Sequence, residues 1–586
     1  MENQFGFFDA LKFLKRYVMA HKGNFIMFYL GWLFKSFLIV IIPILFGEMI
    51  DEIVYNNNRD TFFQIGLMVG GLYLIAWILY FFIYRQHNYL MTKFAYHIKK
   101  DLFEHFLVMK AKILVNIDEG ALMALFLWYP MECVHLLVRG VLHQINRIIT
   151  VILVLGAIVR INLIMGIIVL VMVGISIILT KVVGEKMKGQ ALKQRLQNEK
   201  NQSWILEMLS GMTQIRLLSA QPYVNDQLEQ KMNHIFGIRK KTNQINTTYS
   251  NLLIASRVIL QILLYAYIAT LAFQDKITIG EITMVLSYFT LLTGHITEIY
   301  DEWKNAMERV PIVQKISDFL KTPTEEEWIG KDTIEKEPLG IALDRVTFGY
   351  EEGNRQDSSI VLNNISFMIQ PGKRIGLVGD SGCGKSTIAN LLLGLFEPQQ
   401  GRILLQNRDI KDFQLESIRE RVGLISQQVS IMDGSIRDNL RVVREEATLE
   451  DMIKACQCAG IWDYIQTLPN GLDTIIGRNG MELSGGEKQR ISIARIYLKQ
   501  PEVIIFDEST SALDFDTEKQ LMSYWEQILQ DHTVIIISHR FTTLSTCEEI
   551  YVMKNGRIQE HGDLEHLMQK DTYFSQLFRI KEAVNV

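Results

Sequence analysis

The stretch GLVGDSGCGKST, residues 376–387, crowds glycines around a single lysine and ends in two hydroxyl side chains. It follows the apolar run at 375–378, which predicts a strand, and it precedes a predicted helix that begins near Ser386. Gly379, Gly382 and Gly384 allow the backbone to curl so that its N–H groups point at phosphate oxygens. A glycine-rich loop between a strand and a helix is therefore predicted to bind phosphates.

The other side chains of this loop suit a nucleotide with a magnesium ion. Lys385 brings a full positive charge to the outer phosphates, and the N-terminus of the following helix adds positive potential. The Ser386 hydroxyl can ligate Mg²⁺. A plain glycine turn is the alternative, and the neighbouring motifs argue against it.

Two further apolar runs end in side chains that fit the same chemistry. VIIFDE, residues 503–508, ends in Asp507 and Glu508, and TVIIISH, residues 533–539, ends in His539. Parallel strands present their carboxyl ends at one edge of a sheet, where such folds bind ligands. Asp507 suits Mg²⁺, and Glu508 suits a general base that polarises an attacking water.

A second glycine motif, LSGGEKQR at residues 483–490, predicts a second anion site. Ser484, Gly485 and Gly486 expose backbone N–H groups where a helix is expected to begin. One ATP does not need both this motif and the first loop. Two such sites in one domain are explained only if one of them is offered to the nucleotide of a partner chain.

The N-terminal half has the composition of a membrane domain, and 49% of the whole chain is hydrophobic. A span needs about 20 apolar residues to cross ~30 Å of hydrocarbon. Six such stretches are predicted: one from Asn24, one from Phe62, two within 145–182 that are split near 160–162, one from Asn251, and a more polar one at about 282–299. The long segments after the second and fourth spans are expected to continue the helices.

Basic residues set the predicted orientation of these spans. Lys12, Lys15 and Lys22 precede the first span, and further basic clusters follow the second and fourth spans. By the positive-inside rule, all of these clusters fall on the cytoplasmic side under a count of six. The segment before the first span predicts either an amphipathic helix at the membrane surface or a solvated helix. No leader-peptidase activity is expected, because no Cys/His protease region precedes the first span.

Charge and cysteine usage exclude other classes. A net charge of −4 does not favour a nucleic-acid binder, and five cysteines without a framework spacing suit a reducing compartment. Cys456 and Cys458 form an isolated C-x-C pair, which we interpret as structural because no second pair of zinc ligands lies nearby.

Together these motifs resemble the ATP-binding-cassette transporters, in the half-transporter arrangement of exporters. The resemblance implies an α-helical six-span transmembrane domain at residues 1–320, a linker at 321–340, and an α/β P-loop nucleotide-binding domain at 341–586. GDSGCGKST is similar to the Walker A motif, VIIFDE to Walker B, and LSGGE to the signature motif, although the family more often has glutamine at the position of Glu487.

The resemblance also assigns roles to single residues. Tyr350 in VTFGY would stack on adenine, Gln427 in LISQQ would serve Mg²⁺ with Ser386 and Asp507, Asp514 in SALD would belong to the D-loop, and His539 would be the switch histidine beside the catalytic Glu508. The nucleotide-binding set implied is Tyr350, Gly379, Asp380, Ser381, Gly382, Cys383, Gly384, Lys385, Ser386, Thr387, Gln427, Ser484, Gly485, Gly486 and Asp514.

The family resemblance implies a dimer of half-transporters that closes over two ATP molecules. The dimer would export an amphiphilic or peptide-like cargo across a plasma membrane. The nucleotide-binding domain and the N-terminus would be cytoplasmic, and the source would be bacterial. The intact motifs favour two identical copies over a partner with a defective site. An importer, a lipid flippase and an ATP-gated channel remain alternatives.

A basic ridge in the third span bears on the cargo. His135, Arg139, His143 and Arg147 recur at i, i+4 spacing and do not favour contact with lipid. The ridge predicts either a cationic wall for anionic or carboxylate-bearing cargo, or ion pairs with neighbouring helices or with lipid phosphates. Lys35 and Arg257 are also expected to turn inward or to snorkel.

Overall fold

The computed structural model describes residues 5–114, 117, 119–350, 359–427, 429–477, 480–507, 532–569 and 572–584. The chain divides into two compact units, Met1–Met109 with Ile117–Thr322 and Lys110–Asn116 with Pro323–Val586. The sequence places the domain boundary within 321–340 and assigns 110–116 to the first domain; that division stays a prediction. The two units are described separately.

The first unit is helical, and in its described part six helical spans are long and apolar enough to cross a membrane, as predicted. The helices of this unit are α1 (Phe7–Met19), α2 (Lys22–Val54), α3 (Arg59–Leu107), α5 (Glu119–Leu127), α6 (Tyr129–Leu137), α7 (His143–Ile161), α8 (Leu163–Ser210), α9 (Met212–Leu217), α10 (Gln221–Ala272) and α11 (Ile279–Phe319), and α4 (Ala111–Leu114) belongs to the second unit. A π-helix, Val138–Leu142, joins α6 to α7.

The third span differs from its predicted bounds. It runs over Tyr129–Ile161, whereas the hydropathy of the sequence placed its start near residue 145. His135 and Arg139 lower the hydropathy of its first half, yet Cys133, Leu136 and Val138 are fully buried there. The interior of the bundle, and not lipid, therefore surrounds much of this first half. The predicted helical continuations are confirmed by α3, α8 and α10, which have 49, 48 and 52 residues.

Helix α1 packs on the bundle through one face. Ala10, Leu14 and Tyr17 are buried, and the helix contacts α3 and α11. The Tyr17 hydroxyl donates a hydrogen bond of 2.9 Å to Asp101 Oδ2. The segment is thus not a freely solvated helix, and its predicted place at the membrane surface stays a prediction.

The start of α11 is fixed to the end of α2. Asp51 Oδ1 accepts a hydrogen bond of 2.7 Å from the Gly280 N–H, and Asp51 Oδ2 accepts one of 2.7 Å from Thr278 Oγ1. The backbones meet so closely that a Cβ on Gly280 would lie 2.1 Å from the Gly47 carbonyl oxygen. The carboxylate therefore caps the first turn of α11 while the glycines permit the contact.

The second unit is an α/β domain built around two sheets. Its strands are β1 (Ile341–Tyr350), β2 (Ser359–Ile369), β3 (Arg374–Gly379), β4 (Gln400–Leu405), β5 (Arg408–Asp409), β6 (Val422–Ile425), β7 (Gly434–Ser435), β8 (Ile475–Ile476), β9 (Val503–Asp507), β10 (Thr533–Ile537), β11 (Glu549–Lys554) and β12 (Arg557–Gly562). The described helices after α11 are α12 (Lys385–Leu392), α13 (Leu415–Arg421), α14 (Ile436–Arg441), α15 (Leu449–Cys458), α16 (Trp462–Thr467), α17 (Gly485–Lys499), α18 (Phe541–Leu544), α19 (Leu564–Leu567) and α20 (Tyr573–Val584).

The larger sheet has the order β12-β11-β3-β10-β9-β6, and the smaller one has the order β2-β1-β4-β5. Along β9, Ile504 and Phe506 belong to one apolar cluster, whereas Val503 and Ile505 belong to another. Burial on both faces is typical of parallel strands and explains their near-continuous apolar sequence. The architecture confirms the predicted fold class of six membrane helices followed by an α/β domain.

Candidate functional site

Four neighbouring parallel strands bring the predicted site residues to one edge of the larger sheet. Ile537 of β10 pairs with Leu377 of β3 and with Asp507 of β9, and β6 lies parallel beyond β9. The segments that leave these strands carry the glycine loop, His539, Asp507 and Gln427. Asp507 and His539 are half-buried, whereas Gln427 is exposed.

The loop between β3 and α12 depends on its glycines. Gly382 and Gly384 have φ angles of +82° and +105°, which favour glycine. A Cβ on Gly384 would also lie 2.5 Å from Leu362 Cδ2, and one on Gly379 would lie 2.2 Å from the Met553 carbonyl oxygen. The loop is thus packed tightly at both ends, so its curl is set by backbone geometry.

Lys385 is held within this loop. Its side chain is only 6% exposed, and Nζ donates hydrogen bonds of 2.8 and 3.0 Å to the carbonyl oxygens of Gly379 and Asp380. The neighbouring Ser386 is exposed at the first turn of α12. A buried ammonium group, an exposed hydroxyl and a helix N-terminus suit the phosphates of a nucleotide. These residues therefore fit a nucleoside triphosphate.

Tyr350 lies beside the buried end of the loop. Its hydroxyl is 3.2 Å from Thr387 Oγ1, and its half-buried ring meets the rings of Phe348 and Phe396 edge-on at 5.1 and 5.3 Å between centroids. A cavity of about 460 Å³ borders Tyr350 but contains none of the loop residues 379–387. The role of Tyr350 in stacking on a base stays a prediction.

His539 and the loop share a smaller cavity. The cavity has a volume of about 240 Å³, and Gly379, Asp380, Ser381 and His539 line it. Leu577 and Phe578 of α20 form another wall. The structure thus places the histidine and the glycine loop around one space, as the strand order requires.

Tyr573 is a neighbour of the loop that sequence reasoning missed. Its hydroxyl donates a hydrogen bond of 2.6 Å to Asp380 Oδ2, and this bond, together with partial burial, raises the pKa of Tyr573 to about 12. Tyr573 lies 193 residues from Asp380 in the sequence, so no local sequence pattern indicates that the two residues are in contact. Only the three-dimensional course of α20 reveals it.

Cys383 is buried in the loop at 5% exposure. Burial raises the pKa of its thiol, although the nearby Lys385 ammonium opposes that rise. The thiol is therefore mostly protonated near neutral pH.

Ser484 of the signature motif forms its hydrogen bonds within the first turn of α17. Ser484 caps α17: its Oγ accepts a bond of 3.3 Å from the Glu487 N–H, and its own N–H donates one of 2.8 Å to Glu487 Oε2. In the described part of the chain, the Ser484 side chain bonds to nothing in the loop. Ser484 and Gly485 are exposed, and Gly486 is half-buried.

Two predicted site residues, Glu508 and Asp514, lie outside the described residues. Tyr350 ends β1 of the smaller sheet, and the other predicted residues lie at the edge of the larger sheet or at the start of α17. Their roles stay predictions.

Two protein-family models match this chain. The model described as the ABC transporter transmembrane region matches residues 25–296, and the ABC transporter model matches 362–511. The cyclolysin secretion/processing ATP-binding protein CyaB of Bordetella pertussis is 31% identical over 64% of this chain. The chain spans about half of that relative, since the match covers 52% of it.

Other matches extend over nearly the whole chain. The ATP-dependent lipid A-core flippase of Thiobacillus denitrificans is 26% identical over 96% of this chain and 97% of its own length. The structure of a bacterial Atm1-family ABC exporter with ATP bound superposes with a TM-score of 0.84 at 21% identity, covering 96% of this chain and 98% of that one, which shows the fold. Since a transmembrane and an ATP-binding family model match the two halves in this order, this multi-pass membrane protein belongs to the ABC transporter family.

Proposed function

We propose that the protein is an ATP-driven half-transporter that exports an amphiphilic or peptide-like substrate by alternating access. The observation that carries this proposal is the separation of two anion-binding elements within one unit. The loop at Lys385 is fitted to phosphates, while Ser484 and Gly485 are exposed at the start of α17, where the Ser484 hydroxyl accepts a bond from the Glu487 N–H. Two copies that close head to tail would bring each element to the other's nucleotide.

The proposed roles follow from the motif to which each residue belongs. Tyr350 stacks on adenine, and the loop with Lys385 holds the phosphates. Ser386, Gln427 and Asp507 hold Mg²⁺, which neutralises phosphate charge when bound. Glu508 accepts a proton from the attacking water, and His539 contacts the terminal phosphate. Ser484, Gly485 and Gly486 donate backbone and hydroxyl hydrogen bonds to the nucleotide of the partner.

Coupling follows from the shared nucleotide. A bound triphosphate would bridge the two ATP-binding units and favour their closed arrangement, and its hydrolysis would remove that bridge. We place the protein in a plasma membrane with the ATP-binding unit in the cytoplasm, because the basic clusters flank the spans on that side. The partner is proposed to be an identical copy.

A lipid flippase is the second candidate, supported by the near full-length similarity to a protein named as a lipid A-core flippase. Flipping and export use the same ATP-driven cycle and differ in cargo. An importer or an ATP-gated channel is less well supported. A channel would keep its flux after Glu508→Gln, whereas a pump would stop.

The shared site is tested by co-expressing two inactive variants and measuring ATPase activity after reconstitution in liposomes. Lys385→Ala disables the loop and Ser484→Arg blocks the signature motif, so neither homodimer contains a complete site. Co-expressed copies form some mixed dimers in which one site of two is complete. We expect ATPase activity to recover to about a quarter of the wild-type rate, since about half of the dimers are mixed.

Thr448→Arg is the matched control, because Thr448 is another exposed helix N-cap of the same unit. It is expected to retain the wild-type ATPase rate. Full activity of Ser484→Arg alone would contradict the shared site. Export is then measured as ATP-dependent accumulation of cargo in inside-out vesicles, and accumulation only in right-side-out vesicles would instead indicate import.

A further inference from the structure

A cavity of about 280 Å³ lies among the membrane helices of the first unit. Aromatic residues of α2 and α3 form one side, and part of the basic ridge forms the other together with Glu302 of α11, whose carboxylate is paired with Arg309. Its walls include Trp32, Tyr80, Tyr84, Arg139, His143 and Arg147. Three of the four ridge residues therefore line a cavity, and His135 is not among them.

The π-helix Val138–Leu142 shapes this cavity. Wide turns of this kind occur mostly as single insertions in α-helices and are frequent at functional sites. Here the turn carries Arg139 on its exposed side, while a Cβ on Gly140 would lie 3.2 Å from Ala306 Cβ of α11. The tight packing at Gly140 holds the turn in place, and Arg139 remains at the cavity wall.

Two of the four cations around the cavity form no ion pair with a carboxylate of the described residues. Arg147 Nε lies 2.7 Å from Glu298 Oε2, and Arg309 bonds to Glu132 at 2.9 Å and to Glu302 at 3.3 Å. Lys35 and Arg139 have no carboxylate within 4.0 Å among the described residues. With these two included, four cations face three carboxylates. Unpaired cations in membrane spans are costly and commonly mark a binding pathway.

Aromatic rings surround the position of Lys35. Its Nζ lies 4.6 Å from the ring centroid of Trp32 and 4.6 Å from that of Tyr80, and the rings of Tyr80 and Tyr84 stack at 6.1 Å. These contacts hold the ammonium group against rings of α2 and α3, which favours the first of the two predicted alternatives, an inward orientation over snorkelling. They also leave the flat, apolar faces of the rings next to unpaired positive charge.

Two buried donors point to an acceptor-rich ligand. Trp32 Nε1 and Arg147 Nη1 are both buried, and neither has a hydrogen-bond partner among the described residues. Buried donors are rarely left unpaired, because the loss of water is not compensated. A carboxylate or phosphate group would supply acceptor oxygens for these donors and negative charge for Lys35 and Arg139.

We propose that this cavity binds an anionic amphiphile whose apolar part lies against Trp32, Tyr80 and Tyr84. Its carboxylate or phosphate is held by Arg139 at the wall and by Lys35, whose Nζ lies over two of the rings that line the cavity. The inference rests on the proposed transport function, since it names the chemical class of the molecule carried. Binding to the cavity is measured without ATP. Its outcome is therefore separate from the ATPase test above.

The experiment follows thermal unfolding of the full-length protein in phosphatidylcholine nanodiscs. Decyl phosphate is expected to raise the unfolding midpoint, and decyltrimethylammonium, which has the same chain length, is expected not to. The decyl phosphate concentration for half of the shift should increase about tenfold in Lys35→Gln and in Arg139→Gln, since each loses a charged hydrogen-bond donor. Arg160→Gln removes the same charge elsewhere on the third span and should behave as wild type.

A second arm separates a bilayer lipid from a soluble ligand. Nanodiscs that contain phosphatidylglycerol, without decyl phosphate, should stabilise the wild type more than Arg139→Gln if the ligand is a lipid. Stabilisation that depends on Lys35 and Arg139 in either arm supports the site. Equal responses of wild type and both variants in both arms overturn it. Arg139→Lys, which keeps the charge, should retain most of the shift and guards against a folding defect in Arg139→Gln.

Discussion

The Tyr573 hydroxyl donates a hydrogen bond of 2.6 Å to Asp380 Oδ2 and so joins the C-terminal helix α20 to the phosphate-binding loop. Glu560 fixes the start of that helix, because its carboxylate accepts bonds of 2.7 and 3.1 Å from the N–H groups of Tyr573 and Phe574. Lys554 Nζ lies 4.0 Å from the centroid of the Tyr573 ring. The loop that carries Lys385 is therefore held from a distant part of the chain.

Tyr573→Phe should weaken ATP binding. The substitution removes the bond to Asp380 while it keeps the ring, so the loop loses one constraint on its shape. For a partly exposed bond to a charged group, we expect the KM for ATP to increase roughly threefold with little change in kcat. Tyr551→Phe is the control, since it also removes a hydroxyl bonded to a carboxylate, that of Glu549. An unchanged KM in Tyr573→Phe would show that the bond does not organise the loop.

The same bond should shift the titration of Tyr573. Its pKa is raised to about 12 mainly by the hydrogen bond to Asp380. The contribution of the bond to stability is complete below the ordinary pKa of about 10, and it is lost as the pH increases through about 12. The difference in tyrosinate absorbance between wild type and Tyr573→Phe should therefore titrate near pH 12. A difference that titrates near the ordinary value would contradict the bond.

Alkylation of Cys383 should be slow and should accelerate with pH. The thiol is buried and burial raises its pKa, so little thiolate is present near neutral pH. We expect mass spectrometry after brief N-ethylmaleimide treatment to find Cys458, which is half-buried, labelled before Cys383. ATP should slow the labelling of Cys383 further because the nucleotide covers the loop. Rapid labelling of Cys383 at pH 7 that ATP does not affect would place the nucleotide elsewhere.

The sequence predicts the parts of the site that depend on local rules. Strand ends in a parallel sheet share an edge, so Asp507, His539 and the glycine loop could be grouped from apolar runs alone. The contact of Tyr573 with Asp380 could not, because no local pattern specifies which distant residue meets a loop. The π-helix at Arg139 also escaped prediction, since a single wide turn has the same composition as an α-helix. The start of the third span was misplaced because hydropathy cannot distinguish a cation that faces the bundle interior from one that ends a span.

Glu487 should tolerate glutamine but not alanine. It forms a capping box with Ser484, in which the side-chain oxygen accepts the Ser484 N–H bond of 2.8 Å. Glutamine also has such an oxygen, which explains why either residue suits this position. We expect Glu487→Gln to keep wild-type stability and ATPase activity, whereas Glu487→Ala should lower the free energy of unfolding by about 1 kcal/mol. Equal loss in both variants, measured by thermal unfolding, would show that the charge matters more than the cap.

Two glycines of α11 should respond to alanine in opposite directions. At Gly280 a new Cβ would lie 2.1 Å from the Gly47 carbonyl oxygen and 2.6 Å from Asp51 Oδ2, so it would force α2 and α11 apart and strain the Asp51 cap. Overpacking of this kind costs about 1–3 kcal/mol, and we expect Gly280→Ala to lower the unfolding midpoint of the protein in nanodiscs. At Gly294, beyond the backbone of its own helix turn and its chain neighbours, no atom of the described residues lies within 4 Å of the new Cβ. Gly294→Ala should therefore stabilise the helix by about 0.5–1 kcal/mol, because alanine loses less backbone entropy. If Gly280→Ala were as stable as wild type, the close contact between α2 and α11 would be wrong, and a destabilised Gly294→Ala would show that its open face is covered in the membrane.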